Sequence, residues 1–62
     1  MKNAARIGLV CYFPWLDKWG WTRWTPTGWE IDRVFPTVEE ARRVRAAKLR
    51  AARALDKLAA CS

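Results

Sequence analysis

Trp19-Gly-Trp-Thr-Arg-Trp-Thr-Pro-Thr-Gly-Trp-Glu-Ile-Asp-Arg-Val-Phe35 is the stretch that decides how this chain folds. Two runs rich in aromatic and β-branched residues flank Thr25-Pro26-Thr27-Gly28. Proline fixes one φ there and glycine permits a positive one, so the stretch reads as a β-hairpin. With Thr25–Gly28 as the loop, Trp24 stands opposite Trp29, Thr22 opposite Ile31 and Arg23 opposite Glu30; a shorter or longer loop shifts every pair. This register expects a core face of Trp24, Trp29, Ile31 and Phe35. The other face then carries Trp19, Trp21, Arg23, Glu30, Asp32 and Val34. Four of the five tryptophans lie in this stretch, more indole than one side of a two-stranded ribbon can hide. Trp19 and Trp21 are therefore expected to keep surface for a partner.

Outward toward the N-terminus, Ile7–Phe13 reads as a further strand, with Ile7, Leu9, Cys11 and Phe13 on one side. Pro14–Lys18 joins it to the hairpin, because proline cannot sit in a central strand. Met1–Arg6 is expected to fray. In the other direction, Thr37-Val-Glu-Glu40 is a capping box, in which Thr37 caps a helix and Glu40 reaches back from the third position. No glycine or proline follows it. The expected elements are strands at about 7–13, 19–25 and 29–35 and a helix at about 38–60. On that helix Ala41, Val44, Ala47, Ala51, Leu55, Leu58 and Ala59 share one arc, interrupted by Lys48. Arg42, Arg43, Arg45, Arg50, Arg53 and Lys57 share the opposite arc. A helix of roughly 23 residues is about 34 Å long, against about 20–23 Å for the strands, so its last two turns or so are expected to project beyond the sheet. The reading is one small α+β domain spanning 1–62: a three-stranded antiparallel sheet (β-β-β-α) packed against one long C-terminal amphipathic helix.

Composition narrows the function. Twelve basic against six acidic residues give a net charge of +6, which favours nucleic acid, an anionic membrane surface or an acidic protein as partner. There is no histidine, no phosphate-cradling glycine motif and no nucleophile with an obvious partner, so the chain reads as a non-enzyme. Cys11 and Cys61 suit neither a disulfide framework nor a zinc site. They read as reduced thiols, Cys11 a small buried hydrophobe and Cys61 on a fraying end, with a bridge between them as the alternative. No metal and no cofactor is implied. The apolar run Ile7–Phe13 is cut short by Pro14, Trp15 and Asp17 without a cleavage site, leaving the cytoplasm as the expected compartment.

What remains is an aromatic and basic surface. Indoles stack on bases and guanidinium groups pair with phosphates, and both occur together in Trp19, Trp21 and Arg23. Trp29-Glu-Ile-Asp-Arg-Val-Phe35 followed by Thr37-Val-Glu-Glu-Ala-Arg42 resembles the three-strand-plus-helix DNA-binding domains of the arm-binding type in tyrosine integrases and the AP2-like family, over about half the chain. The resemblance implies a sheet laid in the major groove, with reading roles for Trp21, Arg23 and Arg33. Acidic Glu30 and Asp32, and a longer, more basic helix, depart from that pattern.

The first expectation is thus a nucleic-acid-binding module that uses Trp19, Trp21, Arg23 and Arg33 on the sheet and the helical arginines against phosphate. The second is a small inhibitor or adaptor that docks on an acidic protein, of the kind phages and mobile elements encode, including anti-CRISPR-like proteins, since Trp and Arg dominate interface hot spots. Membrane-surface binding ranks last, because the apolar arc is mostly alanine. A homodimer through the C-terminal helix is compatible with each, as Ala41, Val44, Lys48, Ala51, Leu55 and Leu58 follow a 3-4 spacing.

Overall fold

The computed structural model describes residues 2–61, apart from the side chain of Cys61. A 3₁₀ turn at Ala4–Arg6 precedes strands β1 (Cys11–Phe13), β2 (Lys18–Thr25) and β3 (Gly28–Phe35), and helix α1 (Val38–Cys61) follows. The strands form an antiparallel sheet in the order β1-β2-β3. This is the expected α+β architecture. The expected pairs Thr22↔Ile31, Arg23↔Glu30 and Trp24↔Trp29 all form, and pairing runs on to Thr25↔Gly28 so that only Pro26 and Thr27 turn the chain. Gly28 takes φ +119°, a backbone conformation that L side chains rarely adopt. At the other hairpin Asp17 occupies the left-handed region, φ 51°, and its carboxylate accepts a hydrogen bond from the Tyr12 hydroxyl.

Two one-residue slips set which side chains meet. On β3, Trp21 pairs with Arg33 and Thr22 with Ile31, so Asp32 is an extra residue, a β-bulge. Beyond it the alternation is reversed: Phe35 crosses to the face of Trp21, against which it stacks at 5.8 Å, and leaves Trp24, Trp29 and Ile31 on the other face. A second slip precedes β1. Ile7 bridges to Arg23 whereas Cys11 pairs with Gly20, one residue out of step, so the expected strand at 7–13 is regular only over Cys11–Phe13. Gly8 marks the slip. Its N–H donates to Thr22 O at 2.7 Å, and a Cβ there would lie 2.5 Å from Thr22 Oγ1. Cys11, expected inside, is exposed. Its pairing with Cys61 concerns a side chain outside the described residues.

The helix lies across the Trp21 face. Thr37 Oγ1 caps it by accepting the Glu40 N–H at 3.3 Å, a contact worth about 1 kcal/mol. The side chains that seat it differ from the apolar arc expected from sequence. Along one stripe run Ala41, Arg45, Lys48, Ala52 and Asp56, spaced by three and four. Ala41 and Ala52 are buried and let the backbone approach. Arg45 Nε donates to Gly8 O at 2.6 Å, Lys48 Nζ pairs with Asp32, and Asp56 accepts the N–H groups of Asn3 and Ala4 at 2.8 and 3.0 Å. Those last two bonds correct the expectation of fraying for residues 3 and 4, which they fasten to the far end of α1; Met1, included in that expectation, lies outside the described residues. That end is partly covered in consequence and does not simply project.

At the centre of the seat, Asp32 Oδ2 accepts Trp21 Nε1–H at 2.9 Å and faces the Lys48 ammonium. Burial alone would raise the pKa of Asp32. Hydrogen bonds from Lys48 and Trp21, helped by the charges of Lys48 and Arg23, outweigh it and hold the carboxyl below its ordinary value. Asp56 is lowered as well, chiefly by the Ala4 N–H bond. A depressed native pKa means that the unfolded chain binds more protons in acid, so the stability these groups contribute is complete above the ordinary carboxylate pKa of about 3.9 and is lost as pH falls through the native values. Asp32→Ala strands the Trp21 N–H and is expected to cost about 2–3 kcal/mol, with Asp32→Asn costing about 1. Urea denaturation at neutral pH measures both. Equal midpoints for Asp32→Ala and the parent chain would contradict this arrangement.

Candidate functional site

Seating the helix on its polar stripe moves some of the residues that the sequence marks for binding into the fold and leaves the others outside. Trp21 is 0% exposed, so the indole expected to meet a partner is the centre of the core. Trp19 is half-buried and tilted against Tyr12 at 5.2 Å between ring centroids. Arg23 and Arg33 are both exposed; the Arg33 guanidinium lies 5.1 Å from the Phe35 ring centroid, a cation–π contact. Arg45 is half-buried and bound to Gly8 O, so it acts within the fold.

The other helical cations remain outside. Arg42, Arg43, Arg50, Arg53 and Lys57 are all exposed, and at 100° per residue they occupy an arc about 100° wide on the side of α1 away from the sheet. Among the described residues the one ion pair is Lys48–Asp32. Other carboxylates are occupied elsewhere: Asp17 by Tyr12, Glu30 by Thr27 and Asp56 by backbone amides. Of the acidic residues, only Glu39 lies within that arc of α1.

Two apolar features were assigned to the core from sequence and are not in it. Trp24 and Trp29 pack edge to face at 5.5 Å on the outer face of the sheet and are 39% and 53% exposed, with Ile31 beside them at 39%. On α1, Leu55 and Leu58 are exposed. The expected dimer stripe is split, because Ala41 is buried and Lys48 is held by Asp32, which leaves Ala51, Leu55 and Leu58 as its outward part. Leu55 and Ala51 form one wall of a groove of about 350 Å³, whose other walls include Ile7, Trp24, Arg6 and Arg23. Arg6 was not singled out by sequence, since nothing in its neighbours signals that Asp56 brings the N-terminus over the helix.

No cluster of three or more His, Cys, Asp or Glu side chains that could hold a metal gathers among the described residues. No helix among them is long and apolar enough to cross a membrane. The chain matches no protein-family model, no curated protein and no solved structure, so the site rests on its own geometry.

The exchange of roles between tryptophans gives a direct contrast. Trp21→Ala removes a sealed aromatic side chain and is expected to cost about 3–5 kcal/mol; Trp29→Ala, at an exposed position, is expected to stay within about 1 kcal/mol of the parent. Thermal melts followed by circular dichroism at 222 nm, a wavelength set by the helix amide band, compare the two. The reverse ranking would contradict the placement of the core.

Proposed function

We propose that the chain is a cytoplasmic, non-enzymatic nucleic-acid-binding module in which the outer arc of α1 lies along a phosphate backbone. The supporting observation is the row Arg42, Arg43, Arg50, Arg53 and Lys57, exposed along the helix and without a carboxylate in ion-pairing contact among the described residues. Like charges held this close repel by a few tenths of a kcal/mol per pair, and a polyanion relieves that repulsion while releasing its own counterions. Guanidinium groups suit phosphate oxygens because they donate two parallel hydrogen bonds. The resemblance to arm-binding-type domains supports the same class of partner but a different mode, since Trp21 is sealed and the helix carries the larger basic row.

A second reading has its own observation. Trp24, Trp29 and Ile31 form an exposed apolar cluster on the face of the sheet away from the Trp21 side chain, Trp24 at its edge bordering the helix flank as well, a composition suited to a protein interface. Under this reading the chain is an adaptor or inhibitor whose sheet docks on a protein, and Trp29→Ala abolishes partner capture while nuclease treatment does not.

The phosphate reading is tested by titrating labelled DNA at several salt concentrations. Five phosphate contacts predict a slope of log K against log salt of about −4.5 on duplex and about −3.5 on single strands. The double variant Arg50→Gln/Arg53→Gln is expected to flatten that slope by about 1.4–1.8 with little change in stability, because both side chains are exposed. Absence of binding at low ionic strength, or a slope that the variant leaves unchanged, would remove this reading.

A further inference from the structure

The groove between the flank of α1, the N-terminal segment and β2 combines two kinds of surface. Its apolar walls come from Ile7, Trp24, Ala51 and Leu55, its charged groups are Arg6, Arg23 and Lys48, and no carboxylate among the described residues lines it. Lys48 is already answered by Asp32, whereas Arg6 and Arg23 make no ion pair among the described residues. A smaller hollow of about 140 Å³ adjoins it, lined by Arg6, Trp24, Thr25 and Pro26. One indole and one guanidinium group therefore border both cavities.

An apolar wall beside exposed guanidinium groups selects a ligand that is apolar in one part and anionic in the next. A nucleotide has that layout, and the aromatic wall favours a flat ring over a flexible chain, because stacking on an indole needs a π-face. We infer that the groove seats an unpaired base of a single-stranded nucleic acid against Trp24, with the adjoining phosphate held by Arg6 and Arg23. This rests on the nucleic-acid reading and adds to it a preference for single strands, since a base within a duplex must first leave its stack and its pair. The helical cations supply affinity for any backbone, and the groove distinguishes a strand with accessible bases from one without.

Anisotropy titrations of the full chain with three probes test this: a short labelled thymidine strand, the same backbone lacking bases, and a duplex of equal length. The base-bearing strand is expected to bind about ten-fold more tightly than the abasic one. Trp24→Ala should bring that ratio close to one. Because Trp24 also packs on Trp29, Leu55→Glu provides a second variant: it places a carboxylate in the groove wall at an exposed position and should collapse the same ratio without loss of helical signal. Arg6→Gln should weaken both strands by about the same few-fold factor. A ratio near one in the parent chain, or one that both groove variants leave intact, overturns the inference while abasic binding preserves the phosphate reading. Binding of none of the probes overturns both. Competition by a fatty acid but not by thymidine monophosphate would assign the groove to an acyl carboxylate and overturn it as well.

Discussion

One carboxylate oxygen holds the sheet and the helix together. Asp32 Oδ2 accepts the Trp21 indole N–H and faces the Lys48 ammonium, joining the buried aromatic of β2, the bulge of β3 and the middle of α1. The bulge presents that oxygen by adding a residue where the pairing steps from Ile31 to Arg33. A polar group placed this way costs desolvation. The cost is offset because a charge and an indole donor both converge on it, and removing either donor leaves the carboxylate less well satisfied.

The placement of the remaining side chains follows from that junction. With Lys48 turned inward, Arg45 and Asp56 lie on the same stripe and find Gly8 O and the amides of Asn3 and Ala4. The helix is seated by polar contacts over small residues, Ala41 and Ala52. Leu55 and Leu58 stand to one side, where Leu55 walls the groove, and the exposed arginines Arg42, Arg43, Arg50 and Arg53 stand on the other. The fold thereby separates two kinds of surface: a cationic arc on α1, and apolar surface at the groove and on the outer sheet.

Sequence reveals much of the frame, and the reason lies in local signals. Pro26 and Gly28 locate the turn, Thr37 locates the helix start, and the resulting pairs Thr22↔Ile31 and Trp24↔Trp29 follow from the loop alone. What it misreads is the identity of the buried face. Strict alternation groups Phe35 with Trp24 and Trp29, and only the extra residue at Asp32 moves Phe35 beneath the helix to stack on Trp21. Hydrophobic periodicity likewise points Ala51, Leu55 and Leu58 at the sheet, because it places Arg45 on the outward arc and treats Lys48 only as an interruption of the apolar one. The partners of Lys48, Arg45 and Asp56 are supplied by chain far away, at Asp32, Gly8 and the N-terminal amides, and no local pattern announces those contacts. The exposed helical cations are legible for the opposite reason: Arg42, Arg43, Arg50, Arg53 and Lys57 make no such distant contact among the described residues to redirect them.

Hydrogen exchange of the five indole N–H protons, followed by NMR, tests directly which side of the sheet the helix covers. A helix seated on the Asp32 junction makes the Trp21 indole proton the slowest to exchange, with those of Trp15, Trp24 and Trp29 leaving early. Strong protection of Trp24 and Trp29 together with rapid exchange at Trp21 would put the helix on the opposite face and contradict the account.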